Sequence, residues 1–117
     1  MILTKTQRLI LYSLGQFYKF LNQPLIKKPL QLRTSKITFI ELLLSSEMIN
    51  IGERALYKNI EFIENKKLIG YEHHMIKFTE LGLQTLEKIN EEIKQFTELE
   101  KCFKEQKSKR SLQTVMN

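Results

Sequence analysis

Residues Gly52–Ile69 read GERALYKNIEFIENKKLI, and the rest of the chain is understood from them. Leu56, Ile60 and Ile63 recur at helical spacing, while Arg54, Tyr57, Lys58 and Glu61 fall on the opposite face. The spacing predicts a helix from about Ile51 to Lys67, opened either by Gly52 or by an Asn50–Glu53 pair. Leu68 then enters a strand. One face of this helix packs on a small core, and the other is offered to a partner.

The charge of the chain says which partners to consider first. Of 117 residues, 42% are hydrophobic and 27% charged, which suits one soluble domain with an appended element. The net charge of +6 is uneven. Residues 1–70 carry eleven Lys and Arg against five Glu, whereas residues 71–117 carry eight against eight. The cationic excess therefore lies in the half that contains the organising helix. A basic half suits a polyanion, nucleic acid before membrane. The single cysteine, Cys102, excludes an internal disulfide framework and a cysteine-rich metal site. Lys5, Gln7 and Arg8 interrupt the apolar N-terminus, so neither a signal peptide nor a membrane span is expected, and a cytoplasmic location is.

Upstream of the organising stretch, Thr4 and Gln7 form a capping box that opens a helix to about Leu21. Ile10, Leu14, Phe17 and Leu21 make its stripe, flanked by Leu9, Leu11, Tyr18 and Phe20. Only Arg8, Tyr12, Gly15 and Lys19 remain for a wet edge. So wide an apolar arc predicts packing on a second copy as well as on the chain's own core. Between Pro24 and Lys36 the period is lost, and Leu30-Gln31-Leu32-Arg33 alternates like a short strand among Lys27, Lys28, Arg33 and Lys36. Thr38 with Glu41 forms a second capping box, opening a helix to about Ser46 with Ile37, Ile40, Leu43 and Leu44 inward. Met48 and Ile49 are expected to turn inward after it.

Downstream, Leu68–Glu72 and Met75–Phe78 read as a tight hairpin around His73-His74. Thr79 caps a last helix from Glu80 to about Glu105. Leu86, Ile89, Ile93, Phe96 and Phe103 lie on it at heptad-like spacing, with Leu99 beside the seam and Glu100 on it. This is a dimerisation seam of about two and a half heptads. Cys102 reads as a partly buried packing residue. Residues 107–117, with Lys107, Lys109 and Arg110, read as a flexible basic tail. The expected layout is a domain over residues 1–87, a dimerising helical extension over 88–106, and that tail.

The order of elements resembles a winged helix-turn-helix domain with a C-terminal dimerisation helix: mainly α, with one small β-hairpin. Ala55-Leu56-Tyr57-Lys58-Asn59-Ile60-Glu61-Phe62-Ile63-Glu64-Asn65-Lys66-Lys67-Leu68-Ile69 is similar to the recognition-helix signature of winged-helix transcriptional regulators. Ile76-Lys77-Phe78-Thr79-Glu80-Leu81-Gly82 resembles their Leu-Thr-x-x-Gly passage from wing to helix. The likeness covers roughly Thr4 to Lys104, and is greatest to the PadR-like and MarR-like dimers. Lys67 stands where the family usually has Gly, the wing tip is His73-His74, and the link between the first two helices is long and basic. The resemblance implies a homodimer that binds double-stranded DNA in the nucleoid and regulates transcription. Arg54, Tyr57 and Lys58 would then read the major groove, with Thr38, Lys36 and Arg33 on phosphates.

Two other readings stay open: a winged-helix module that docks on a protein, and an architectural DNA-binding protein with little sequence preference. Adjacent His73 and His74 have poor chelating spacing, so neither a metal nor another cofactor is expected. No Gly-rich phosphate loop and no nucleophile–base pair suggests an enzyme. Nothing in the chain names a small-molecule effector.

Overall fold

A computed structural model describes residues 2–22, 33–46 and 49–116. Among them are four helices and one hairpin: α1 (Lys5–Asn22), α2 (Lys36–Ser45), α3 (Glu53–Asn65), β1 (Ile69–Glu72), β2 (Met75–Phe78) and α4 (Glu80–Met116). This mainly helical arrangement with one antiparallel hairpin is compatible with a winged helix. Among the described residues no helix is long and apolar enough to cross a membrane. The expected strand over Leu30–Leu32, the cations Lys27 and Lys28, and the inward Met48 lie outside the described residues. The chain divides into two units, Met1–Glu87 and Lys88–Asn117.

In the first unit, α1 opens on the expected capping box. The Thr4 amide donates to Gln7 Oε1 at 3.0 Å, and the Gln7 amide donates to Thr4 Oγ1 at 3.2 Å. Ile10, Leu11 and Leu14 are buried. Gly15, expected on the wet edge, instead lies beneath Leu86 of α4: a Cβ placed there would come within 2.7 Å of Leu86 Cδ2. A glycine lets the two helices approach this closely. Buried Gln7 donates to Asn59 Oδ1 at 3.3 Å, tying α1 to α3.

Helix α2 begins a turn earlier than expected. Its N-cap is Ser35, whose Oγ accepts from the Thr38 amide at 3.2 Å, so Thr38 lies inside the first turn. The reason is pairing upstream. The Ile76 amide donates to the Thr34 carbonyl at 2.8 Å, and Ser35 forms an antiparallel bridge with Met75. The chain is thus held extended up to Ser35, which is then free to cap. Tyr18 fastens this joint to α1, accepting from the Thr34 amide and donating to the Ile76 carbonyl. The inward face also differs in part from the expected one. Phe39, Ile40 and Leu43 are buried, while Ile37 and Leu44, expected inside, are 63% and 40% exposed. Ile49 is buried, as expected.

Helix α3 starts from Gly52, which offers no side-chain cap. Leu56, Ile60 and Ile63 are buried, as their spacing requires. The helix ends in a Schellman motif, with the Lys67 amide on the Glu64 carbonyl at 2.9 Å and the Leu68 amide on the Ile63 carbonyl at 3.1 Å. Lys67 takes the left-handed position, φ 60°, that glycine usually fills. The exit is therefore the same shape as a glycine exit, adopted by a residue that pays strain for it.

The hairpin pairs Ile69 with Phe78, Gly70 with Lys77, Tyr71 with Ile76 and Glu72 with Met75. Its two turn residues, His73 and His74, have φ 51° and 65°, the signs of a type I′ turn. The ladder extends one rung past the hairpin: the Thr79 amide donates to the Leu68 carbonyl at 3.1 Å. Thr79 Oγ1 donates to the Lys67 carbonyl at 2.5 Å and accepts from the Gly82 amide at 3.0 Å, capping α4. Gly82 rests on the same Leu68 carbonyl. A Cβ there would stand 1.8 Å from that oxygen.

Helix α4 runs to Met116, so the backbone of residues 107–116, expected as a flexible tail, is helical. No Pro or Gly follows Gly82, and nothing in that stretch stops a helix. In the second unit Ile89 is buried, whereas Ile93, Phe96, Leu99 and Phe103 are exposed. Cys102, expected to be partly buried, is exposed, as is every residue of α4 from 90 to 107.

Gly82→Ala is expected to lower unfolding free energy by about 3 kcal/mol, because backbone cannot yield as a side chain can. Lys67→Gly should raise it by about 0.5–1 kcal/mol by removing left-handed strain. Replacing His73-His74 by Asn-Gly should also stabilise, by about 0.5 kcal/mol, since those residues favour the turn. Urea titrations with unchanged slope check all three.

Candidate nucleic-acid interface

The offered face of α3 is built by its buried stripe. With Leu56, Ile60 and Ile63 inward, Glu53, Arg54, Lys58 and Glu61 are left exposed and Tyr57 half-buried. Arg54 and Lys58 stand four residues apart, one turn from each other on the same face. Among the described residues neither makes an ion pair. These two cations are available to an anionic partner.

The other expected phosphate contacts are already engaged within the chain. Lys36 Nζ lies 2.8 Å from Glu64 Oε1, 5.8 Å from the centre of the Tyr57 ring and 5.9 Å from that of Tyr71. The Tyr71 hydroxyl donates to the same Glu64 oxygen. Lys36 therefore joins the start of α2 to α3 and β1 through one carboxylate and two ring faces. Burial first, and then the hydrogen bond and charge of Glu64, raise the Tyr71 phenol above its ordinary value of 10.0. Arg33 lies 3.7 Å from Glu72, to which Lys77 also donates at 3.3 Å. Lys77, and after it Arg33, hold the Glu72 carboxyl below the ordinary carboxylate range. A phosphate would have to compete with Glu64 for Lys36 and with Glu72 for Arg33.

Thr38, expected at the amide end of α2, gives its own amide to Ser35, so that helix end is formed by Ser35, Lys36 and Ile37. These three residues, with Tyr71 and His74, line a shallow, open depression of about 580 Å³. Among the described residues no buried side-chain polar atom lacks a partner, and no group of three or more His, Cys, Asp or Glu is placed to hold a metal ion.

The structure thus brings Lys36 and Tyr57 together, puts Arg33 at the hairpin, and leaves Arg54 and Lys58 open on α3. Sequence reasoning missed Ser35, Glu64, Tyr71 and Glu72. Two signals were present. Ser35 precedes Thr38 by the spacing of a cap, and Glu64 follows Tyr57 by seven residues, which places both on one helix face. The pairings to Tyr71 and Glu72 carry no sequence signal, because the hairpin register alone creates them.

Folded chains keep the Tyr71 phenol protonated where an unfolded chain begins to lose it. Its contribution is therefore complete below pH 10 and lost as pH rises beyond that. Tyr71→Phe should make the fall in stability above pH 10 less steep, read from urea midpoints across the alkaline range.

Comparison of the chain with family models, with curated proteins and with solved structures finds no match.

Proposed function

We propose that the protein is a homodimeric, sequence-specific DNA-binding regulator of transcription, built as a winged helix-turn-helix with α3 in the major groove. The observation that carries this reading is the pair of exposed cations, Arg54 and Lys58, one turn apart on a helix whose opposite face is fully buried. A helix presented in this way reads base edges from its N-terminal half. Arg54 makes the bidentate contact to guanine, Lys58 contacts a base or phosphate, and the exposed edge of Tyr57 contacts a phosphate or a thymine methyl. The Ser35–Ile37 end of α2 faces a phosphate. The hairpin adds little, since its tip is His73-His74 and Lys77 is held by Glu72. Such a protein works in the cytoplasm, on the nucleoid, and needs no catalytic group.

One set of observations favours a protein-docking module instead. Helix α3 carries Glu53, Glu61 and Glu64 against Arg54 and Lys58, and Arg33 and Lys36 are each close to a carboxylate. A face with this balance also suits a basic protein surface.

The deciding experiment is sequence selection from random duplex DNA, followed by binding to the selected duplex across a salt series. The expected result is one enriched, two-fold-related sequence and a steep loss of affinity with salt. Arg54→Ala should cost about 1–3 kcal/mol and relax choice at one base position, and Lys58→Ala should reduce the salt slope by about 1. No enrichment with a steep salt slope would indicate an architectural protein. A flat salt response, or an Arg54→Ala, Lys58→Ala double variant that binds like the parent, would overturn the groove-reading assignment.

A further inference from the structure

We infer that two copies of the chain pair through α4 in antiparallel orientation; this rests on the homodimer reading above and adds its geometry. Ile93, Phe96, Leu99 and Phe103 are 38%, 71%, 54% and 67% exposed in the single chain. Three of them, Ile93, Phe96 and Phe103, keep heptad-like spacing and so form one seam, with Leu99 at its border. Leu86 and Ile89, expected in the same seam, are not part of it. Leu86 packs on Gly15 of its own chain and Ile89 is buried.

Two observations choose the occupant and its direction. The first is Glu100, which falls on the seam between Phe96 and Phe103. A parallel pair in register would set Glu100 against Glu100 of the other copy, and like charges meeting in an apolar seam repel. In the antiparallel pair Ile93 of one copy meets Phe103 of the other. Glu100 then faces Phe96, about one turn from the other Glu100, with its carboxylate held at the rim by Lys104 at 3.0 Å. The second is the charge gradient along the helix. Residues 87–98 contain Glu87, Glu91, Glu92 and Glu98 against Lys88 and Lys94. Residues 100–110 contain Glu100 and Glu105 against Lys101, Lys104, Lys107, Lys109 and Arg110. Antiparallel pairing sets the acidic half of each helix against the basic half of the other, whereas parallel pairing stacks like on like. A second copy supplies both the matching apolar seam and the complementary gradient.

The test uses the full chain with Cys102→Ser, so that no native thiol interferes, and two single variants, Ile93→Cys and Phe103→Cys. Each is checked by circular dichroism and light scattering, then oxidised mildly alone and as a mixture. The expected result is a disulfide dimer in the mixture that joins position 93 to position 103 by peptide mapping, with little in either sample alone. If either variant loses its fold or its dimer, Phe96→Cys with Glu100→Cys replaces the pair. Cross-links within each single variant instead of the mixture would overturn the orientation and leave the dimer standing. A parent chain that scatters as a dimer but yields no cross-link in any sample would overturn α4 as the interface. A parent chain that stays monomeric at micromolar concentration would overturn the homodimer itself.

Discussion

The Leu68 carbonyl is where the first unit is held together. It accepts the Thr79 amide as the last rung of the hairpin ladder, and Gly82 rests directly against it with no room for a side chain. One residue earlier, Lys67 turns the chain out of α3 at positive φ, and its carbonyl accepts from the Thr79 hydroxyl. The end of α3, the root of the hairpin and the start of α4 therefore meet at two consecutive carbonyls, those of Lys67 and Leu68. Because Leu68 itself is buried beside Ile63, the end of α3 cannot move without opening the core. The exposed face of α3 inherits its position from this joint.

The same rigidity explains how charges are distributed on that face. Placing β1 against the end of α3 brings the Tyr71 hydroxyl to Glu64, and the Glu64 carboxylate draws in Lys36 from α2. A lysine that looks like a phosphate ligand in a basic segment becomes a tie between three elements. Arg33 meets Glu72 in a looser version of the same arrangement, half exposed and therefore weaker. Arg54 and Lys58, which share their exposed face with Glu53 and Glu61, form no ion pair among the described residues.

Helix α4 divides its apolar residues between two tasks. Gly15 admits the Leu86 side chain close to α1. Ile93, Phe96, Leu99 and Phe103 remain exposed further along a helix of 37 residues, about 55 Å at 1.5 Å per residue. A heptad pattern shows that a stripe exists and not which neighbour covers each part of it.

What the sequence determined by itself is the set of local elements. Capping at Thr4 and Thr79, the buried stripe of α3 and the two-residue hairpin follow from contacts within a few residues, and side-chain spacing records such contacts directly. The exposure of Arg54 and Lys58 follows from that stripe. Tertiary structure decided the start of α2, because pairing of Thr34 and Ser35 with β2 made Ser35 the cap instead of Thr38. It also decided which cations stay open, since Glu64 and Glu72 reach Lys36 and Arg33 only after the hairpin docks. Helix α4 continues to Met116 because no Pro or Gly follows Gly82 to stop it. Periodicity reports a face that is buried; it is silent about a helix whose every side can be wet, and about ion pairs between segments far apart in the chain.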